Sequence, residues 1–290
     1  MLALLNEGDE VILPSPFWVS YAAQVNLAGG TLVQIPTKID QDFKITAQEL
    51  SDAISEKTKL FLYSSPCNPT GSVYTKEELA SLVEVLVKHP NIIVISDEIY
   101  EFINFTDKHC SIGEFESMKD RVITVNGLSK GYAMTGWRLG YMGAPLKIAQ
   151  ACNKIQGQFT SGTCSITQRA AIEALNGTMA VTKSMKAEFL ARRDMVLGLL
   201  NEIPGLKANV PQGAFYIFPN VSAFIGKSFN DKTIENVDDL TMYILNEGLV
   251  SLVTGKAFGN ENCLRISYAA SEAKLREAMK RLKDCLTALA

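Results

Sequence analysis

Gly127-Leu128-Ser129-Lys130-Gly131-Tyr132-Ala133-Met134-Thr135-Gly136-Trp137-Arg138-Leu139-Gly140 leads from one strand-like run, Val122-Ile123-Thr124-Val125, into another, Arg138-Leu139-Gly140-Tyr141. The first run is β-branched throughout, as strands buried in a sheet are. A lysine among small residues at the end of such a strand is unusual, because a lone lysine is ordinarily a solvated side chain. Working outward, further strand candidates precede it: Val11-Ile12-Leu13, Thr31 to Ile35, Lys59 to Tyr63 and Ile92-Ile93-Val94-Ile95. Helical stretches fill the gaps. Strands alternating with helices predict a mostly parallel sheet covered by helices on both faces, an α/β class. Two of the helix starts carry capping boxes, Thr46 with Glu49 and Thr75 with Glu78, in which hydroxyl and carboxylate satisfy the free N–H groups of the first turn.

After Pro145 the pattern turns helical, with segments from Pro145 to Gln156, Ser165 to Leu175 and Met179 to Glu202, the last stopped by Pro204-Gly205. Short strands follow at Phe215–Phe218, Leu249–Leu252 and Leu264–Ser267, with helices from about Val237 to Asn246 and Ser271 to Leu286. The division expected is a large domain over residues 1–177 and a smaller α+β domain over 178–290 that begins with the long helix. No internal repeat or Gly/Ser linker separates them, so the two should pack together.

With 28 Lys and Arg against 31 Asp and Glu, the net charge is −3, and 47% of the 290 residues are hydrophobic. That balance offers neither the basic footprint of a nucleic-acid binder nor a cluster suited to anionic lipid. A small-molecule ligand is expected, with no nucleic acid and no membrane as partner. No apolar run approaches the roughly 18 to 20 residues that cross a bilayer. Met1-Leu2-Ala3-Leu4-Leu5 is short and runs into Glu7 and Asp9, unlike an export signal. The six cysteines never form C-x-x-C and read as reduced, mostly buried thiols of a cytoplasmic protein. His89 and His109 are the only histidines, and each stands beside polar residues. Both are expected at the surface, and no metal site is expected.

Three more segments point to chemistry. Ser65-Pro66-Cys67-Asn68-Pro69-Thr70-Gly71 follows a strand, although Pro and Gly alone would explain it as a turn. Ser96-Asp97-Glu98-Ile99-Tyr100 ends the most apolar strand, and α/β sheets place ligand chemistry at the C-terminal ends of their strands. Asp97 could equally cap a helix. In Cys263-Leu264-Arg265-Ile266-Ser267-Tyr268 an arginine interrupts an apolar strand, where it needs a partner unless the strand is an edge facing water.

Together, Asn-Pro-Thr-Gly, Asp-x-x-Tyr, Ser-Lys-x7-Arg and a late Arg resemble the signature of the class I and II aminotransferases, the pyridoxal-phosphate enzymes of fold type I. The resemblance spans essentially the whole chain and is strongest to the bacterial-type aspartate aminotransferase branch, including Pro14-Ser15-Pro16-Phe17-Trp18-Val19-Ser20-Tyr21. It implies a mostly parallel, seven-stranded-type sheet and pyridoxal 5′-phosphate as cofactor. Lys130 would form the Schiff base and then shuttle the proton between Cα and C4′. Asp97 would hold the pyridine N–H, Asn68 and Tyr100 the phenolic oxygen, and Ser129 and Arg138 the phosphate. Trp18 would stack on the ring, and Asn68 and Trp18 would also border the substrate, whose α-carboxylate Arg265 would clamp. The implied reaction moves an amino group from an amino acid, aspartate first, to a 2-oxo acid such as 2-oxoglutarate. A homodimer with its site at the interface is implied as well.

The chain departs from the family at Gly127, where many members have Ser, so one phosphate hydroxyl is missing. Judged by where the motifs fall, the family also carries about a hundred residues ahead of the position matching Met1. They hold a phosphate loop and a cross-dimer tyrosine, so the chain reads as an N-terminally truncated aminotransferase. Two alternatives stay open: another fold-type-I enzyme, namely an aromatic, alanine or kynurenine aminotransferase or a C–S lyase, and an inactive fragment.

Overall fold

A computed structural model describes all 290 residues. Strand β1 (Glu10–Ser15) is followed by α1 (Ser20–Leu27), β2 (Thr31–Pro36), α2 (Ala47–Ala53), β3 (Thr58–Ser64), α3 (Lys76–Leu86), β4 (Ile93–Asp97), β5 (Val122–Gly127) and β6 (Gly140–Gly143). These six strands form one sheet in the order β2-β1-β3-β4-β5-β6. All neighbours are parallel except β5 and β6.

Alternation along the strands explains why both faces are covered. Ile12, Phe61 and Val94 point into one core with Leu79, Leu82 and Leu86 of α3, whereas Val11, Leu13, Leu60, Leu62 and Ile95 point into the other with Val25 of α1. A strand whose odd and even residues are both apolar is stable only between two layers. Both capping boxes form, with Thr46 and Thr75 accepting from the backbone N–H of Glu49 and Glu78. The caps fix where α2 and α3 leave the sheet.

The chain continues through α4 (Leu146–Phe159), α5 (Ser165–Asn176) and α6 (Ala180–Asn201). Gly205, at φ +94°, turns it after α6, a conformation that costs glycine nothing. Next come β7 (Tyr216–Ile217), β8 (Ser228–Phe229), β9 (Lys232–Thr233), α7 (Val237–Gly248), β10 (Val253–Thr254), β11 (Leu264–Ser267) and α8 (Glu272–Thr287). Strands β10, β11 and β7 form an antiparallel sheet, and β8 pairs with β9. A separate core built from Val196, Leu200, Ile217, Leu240, Ile244, Leu264, Ile266 and Leu282 lies beneath it. No helix is long and apolar enough to cross a membrane.

Several expectations need correction. The main sheet has six strands rather than seven, because the strands after β6 pair among themselves. The run at Leu249–Leu252 is not a strand: Leu249 takes a left-handed conformation that ends α7, and pairing begins at Val253. The strand read from Arg138 begins at Gly140, because Arg138 is itself left-handed. Only Cys263 and Cys285 are buried; Cys67, Cys110 and Cys152 are half-buried, Cys164 is exposed, and all six are free thiols.

His109 is not a surface residue. Its Nε2 lies 2.8 Å from Glu98 Oε2, with side-chain exposures of 17% and 4%. Glu98 also accepts from the hydroxyls of Ser96 at 2.8 Å and Ser111 at 2.6 Å. A buried carboxylate requires such donors, and that requirement draws His109 inward. His89 is half-buried as well.

Candidate active site

One cleft of about 540 Å³ opens where β3, β4 and β5 end, at Ser64, Asp97 and Asn126, with Tyr216 of β7 and Arg265 of β11 facing it. It gathers every site residue singled out in the sequence: Trp18, Asn68, Asp97, Tyr100, Ser129, Lys130, Arg138 and Arg265. Parallel strands all end on the same edge, so residues distant in the chain converge there.

Asp97 sits at the end of β4. Its Oδ1 accepts from the N–H of Ile99 at 3.1 Å, so it caps the following turn and lines the cleft at once. Burial pushes its carboxyl up, against the Tyr21 hydroxyl, the Ile99 N–H and the Lys130 charge, all of which favour the anion. The Tyr21 hydroxyl donates to Oδ2 at 2.5 Å, and burial holds that phenol well above its usual range, so it keeps its proton and donates. The sequence motifs do not mark Tyr21 as a site residue, although it lies three positions after Trp18 in the Pro14–Tyr21 segment. Trp18 stands edge-on to it, ring centroids 5.4 Å apart.

Lys130 follows β5 and is half-buried without a carboxylate in salt-bridge contact. Its Nζ lies 5.8 Å from the Tyr100 ring centroid and 5.7 Å from that of Phe215. Burial, then the charges of Arg265 and Arg138, push its amine down, opposed by Asp97. A share of neutral amine is what a nucleophilic lysine needs.

The loop after Lys130 makes one tight turn at Thr135–Trp137, from which Arg138 emerges at φ +52°. An L-residue there carries roughly 1–2 kcal/mol of strain. Arg138 Nη1 donates to the Thr135 carbonyl at 2.9 Å, and Thr135 Oγ1 donates to the Ser129 carbonyl at 3.0 Å, which ties the strained turn to Ser129. The departure at Gly127 has a steric cause. A Cβ there would meet the Leu139 carbonyl oxygen at 2.9 Å and Gly140 Cα at 3.0 Å, so the close β5–β6 pairing would have to shift to admit a side chain.

Arg265 occupies the central strand of the second sheet rather than an edge. Its Nη1 donates to Asn68 Oδ1 at 2.9 Å, while its buried Nε has no partner. Tyr100 is buried, and its hydroxyl lies 3.0 Å from that of Tyr216, a residue read in the sequence only as part of a strand.

Three cations against one carboxylate make the cleft a receptor for anions. A model of the family described as aminotransferase class I and II matches residues 1–282. The chain belongs to the class I and II aminotransferases. Among its relatives in that family is the bifunctional aspartate aminotransferase and glutamate/aspartate-prephenate aminotransferase of Petunia hybrida, 44% identical over 100% of this chain and 61% of the relative. The chain thus spans less than two thirds of that enzyme's length. The crystal structure of the aspartate aminotransferase from Rhizobium meliloti superposes with a TM-score of 0.96 at 40% identity, over 100% of this chain and 73% of that one. The aromatic aminotransferase from Pyrococcus horikoshii OT3 gives 0.92 at 40%, over 99% and 75%.

Pyridoxal 5′-phosphate is the cofactor of this family. The donor set suits it: a lysine amine held below its usual range, a buried carboxylate, two hydroxyls, an amide and an arginine. The orphaned Nε of Arg265 marks a further place for an anion.

Proposed function

We propose that this chain carries the cofactor site and α-carboxylate clamp of an aminotransferase that moves an amino group from aspartate to a 2-oxo acid such as 2-oxoglutarate. The observation that carries this is the convergence of Lys130, Asp97, Tyr100, Asn68, Ser129, Arg138 and Arg265 on one cleft. Bound pyridoxal 5′-phosphate supplies an electron sink for the electrons left when Cα of the amino acid loses its proton. Lys130 Nζ is the group that would hold the cofactor covalently and would carry the proton to and from Cα; its lowered affinity for protons suits both tasks. Asp97, whose anionic form Tyr21 and Ile99 favour against burial, would hold the proton on the ring nitrogen. Asn68 and Tyr100 hydrogen-bond the phenolic oxygen. Asn68 has its Nδ2 for this, because its Oδ1 already accepts from Arg265. Ser129 and Arg138 would take the phosphate, Trp18 would cover the ring, and Arg265 would fork onto the α-carboxylate.

A division into a cofactor domain over 1–177 and a small domain over 178–290 belongs to the same proposal, supported by the core that begins at Val196. So does a homodimer, supported by the exposure of Leu146, Phe159 and Ile166, each 72% or more. Light scattering on the eluting protein tests it: a monomer alone would reject the dimer. A cytoplasmic location is proposed on the six free thiols.

One observation favours a second substrate class. The three cations of the cleft are all committed, Lys130 and Arg138 to cofactor and Arg265 to the α-carboxylate, so none remains for a second carboxylate. An aromatic or small apolar amino acid needs none.

The test is titration of the chain with pyridoxal 5′-phosphate, following visible absorption, with Lys130→Ala alongside. A band that requires Lys130 and is bleached by aspartate supports the transferase. A band bleached only by an aromatic amino acid or alanine selects the second class, and the absence of any Lys130-dependent band rejects cofactor binding by this chain.

A further inference from the structure

Tyr216 touches both ends of the site at once. Its hydroxyl is 3.0 Å from that of Tyr100, and the two rings meet edge to face at 5.9 Å. Its ring also forms a floor for Arg265, whose guanidinium carbon lies 4.5 Å from the Tyr216 centroid and 4.8 Å from that of Phe258. Antiparallel pairing sets this geometry: Ser267 of β11 faces Tyr216, so Arg265, two residues along on the same face, is its diagonal neighbour. The segment before Tyr216 is pinned to the main sheet's loops. The N–H groups of Gln212 and Gly213 donate to the Gly71 carbonyl at 2.8 and 2.9 Å, and that of Ala214 donates to the Ile103 carbonyl at 2.7 Å. Tyr216 is therefore registered against the Asn68–Gly71 loop and the turn after Tyr100 together.

Proton counting gives the contact a direction. Each phenol has one proton to donate. If Tyr100 donates to Tyr216, its proton points away from the cofactor side of the cleft. If Tyr216 donates to Tyr100, the Tyr100 proton is free to point into it. An anionic phenolic oxygen facing Tyr100 is a stronger acceptor than a neutral phenol, so it takes the Tyr100 proton and leaves Tyr216 to donate to Tyr100, which selects the second arrangement.

Resting on the proposed aminotransferase reading, we infer that Tyr216 is a positioning residue: its hydroxyl aims the Tyr100 proton at the cofactor's phenolic oxygen, and its ring holds the Arg265 fork. The two subsites are thereby coupled, because the side chain whose hydroxyl meets Tyr100 is the one whose ring holds Arg265.

Tyr216→Phe keeps the floor and removes the hydroxyl; Tyr216→Leu removes both. In the cofactor-loaded chain the readout is the pH midpoint of the Lys130-dependent visible band. Weaker stabilisation of the phenolic anion lets the neighbouring nitrogen hold its proton to higher pH. Tyr216→Phe is therefore expected to raise the midpoint by about half a unit to one unit, the worth of one neutral hydrogen bond, with aspartate half-saturation within about twofold. Tyr216→Leu is expected to raise the midpoint similarly and to raise half-saturation about tenfold, the scale of a lost cation–π contact. A merely structural role would lower stability and leave the midpoint unchanged; a Tyr216→Phe midpoint equal to the parent's overturns the inference.

A second measurement needs no cofactor. In urea unfolding, Tyr100→Phe and Tyr216→Phe should be non-additive by about fivefold in the unfolding constant, and additivity would also overturn the inference. A parent chain with no Lys130-dependent band would refute the aminotransferase reading instead, and the unfolding cycle would still decide the tyrosine pair.

Discussion

Replacing His109 by alanine removes the one ionic partner of Glu98, a side chain only 4% exposed. Breaking a buried pair by removing one member costs about 3–5 kcal/mol when the remaining charge is left bare. Here Glu98 Oε1 keeps two hydroxyl donors, Ser96 and Ser111, so the expected loss is smaller, about 2–3 kcal/mol. A double-mutant cycle of His109→Ala and Glu98→Gln isolates the pair, with an expected coupling of about 1.5–3 kcal/mol from urea unfolding near pH 6.

The pH dependence has a definite sign. Glu98, Glu101 and Glu114 hold the His109 imidazole above its usual range despite burial. A group whose folded affinity for protons is raised contributes stability that is complete below its unfolded value, about 6.5, and is lost as pH rises through the folded value. The coupling should therefore decline from pH 6 to pH 9. A coupling below about 0.5 kcal/mol, the level of additive sites, or one that does not change with pH, would refute an ionic His109–Glu98 pair.

Tyr21→Phe takes one donor from Asp97, and loss of a hydrogen bond to a charged group, about 1.5–3 kcal/mol, should weaken pyridoxal 5′-phosphate binding roughly ten- to a hundredfold by absorbance titration. Unchanged affinity would show that Tyr21 does not support Asp97. Arg265→Lys keeps the charge and loses the fork, so aspartate half-saturation should rise about thirtyfold or more while cofactor affinity stays within about twofold; equal half-saturation would remove Arg265 from the α-carboxylate. Gly127→Ala forces a Cβ against Leu139 and Gly140 and should lower stability by about 1–3 kcal/mol in urea. A neutral substitution would mean that the β5–β6 crossing can open.

Much of this architecture was legible because its signals are local. The strand cores of β1 to β5, the capping boxes at Thr46 and Thr75 and the stop at Pro204-Gly205 each depend on residues a few positions apart. The motif segments could be read because each carries its own punctuation. Where short-range signals conflict, the local sequence misleads. Leu249–Leu252 is as apolar as a strand, yet the exit from α7 claims Leu249, and His109 sits among polar neighbours while a carboxylate eleven positions away draws it inward.

By itself, the sequence determined the alternation of elements, the two-faced apolar strands and the identities of Lys130, Asp97, Tyr100, Asn68, Ser129, Arg138, Trp18 and Arg265, since propensity, period and motif reside in neighbouring residues. The tertiary structure alone decided how those residues are partnered. Tyr21 meets Asp97 across 76 positions, Tyr100 meets Tyr216 across 116, and Asn68 meets Arg265 across 197. Such contacts leave no periodic trace in the chain, because they arise only when parallel strands bring their C-terminal ends to one edge and a second sheet closes over it. The same physics crowds Gly127: its neighbours Leu139 and Gly140 become neighbours only when β6 turns back along β5.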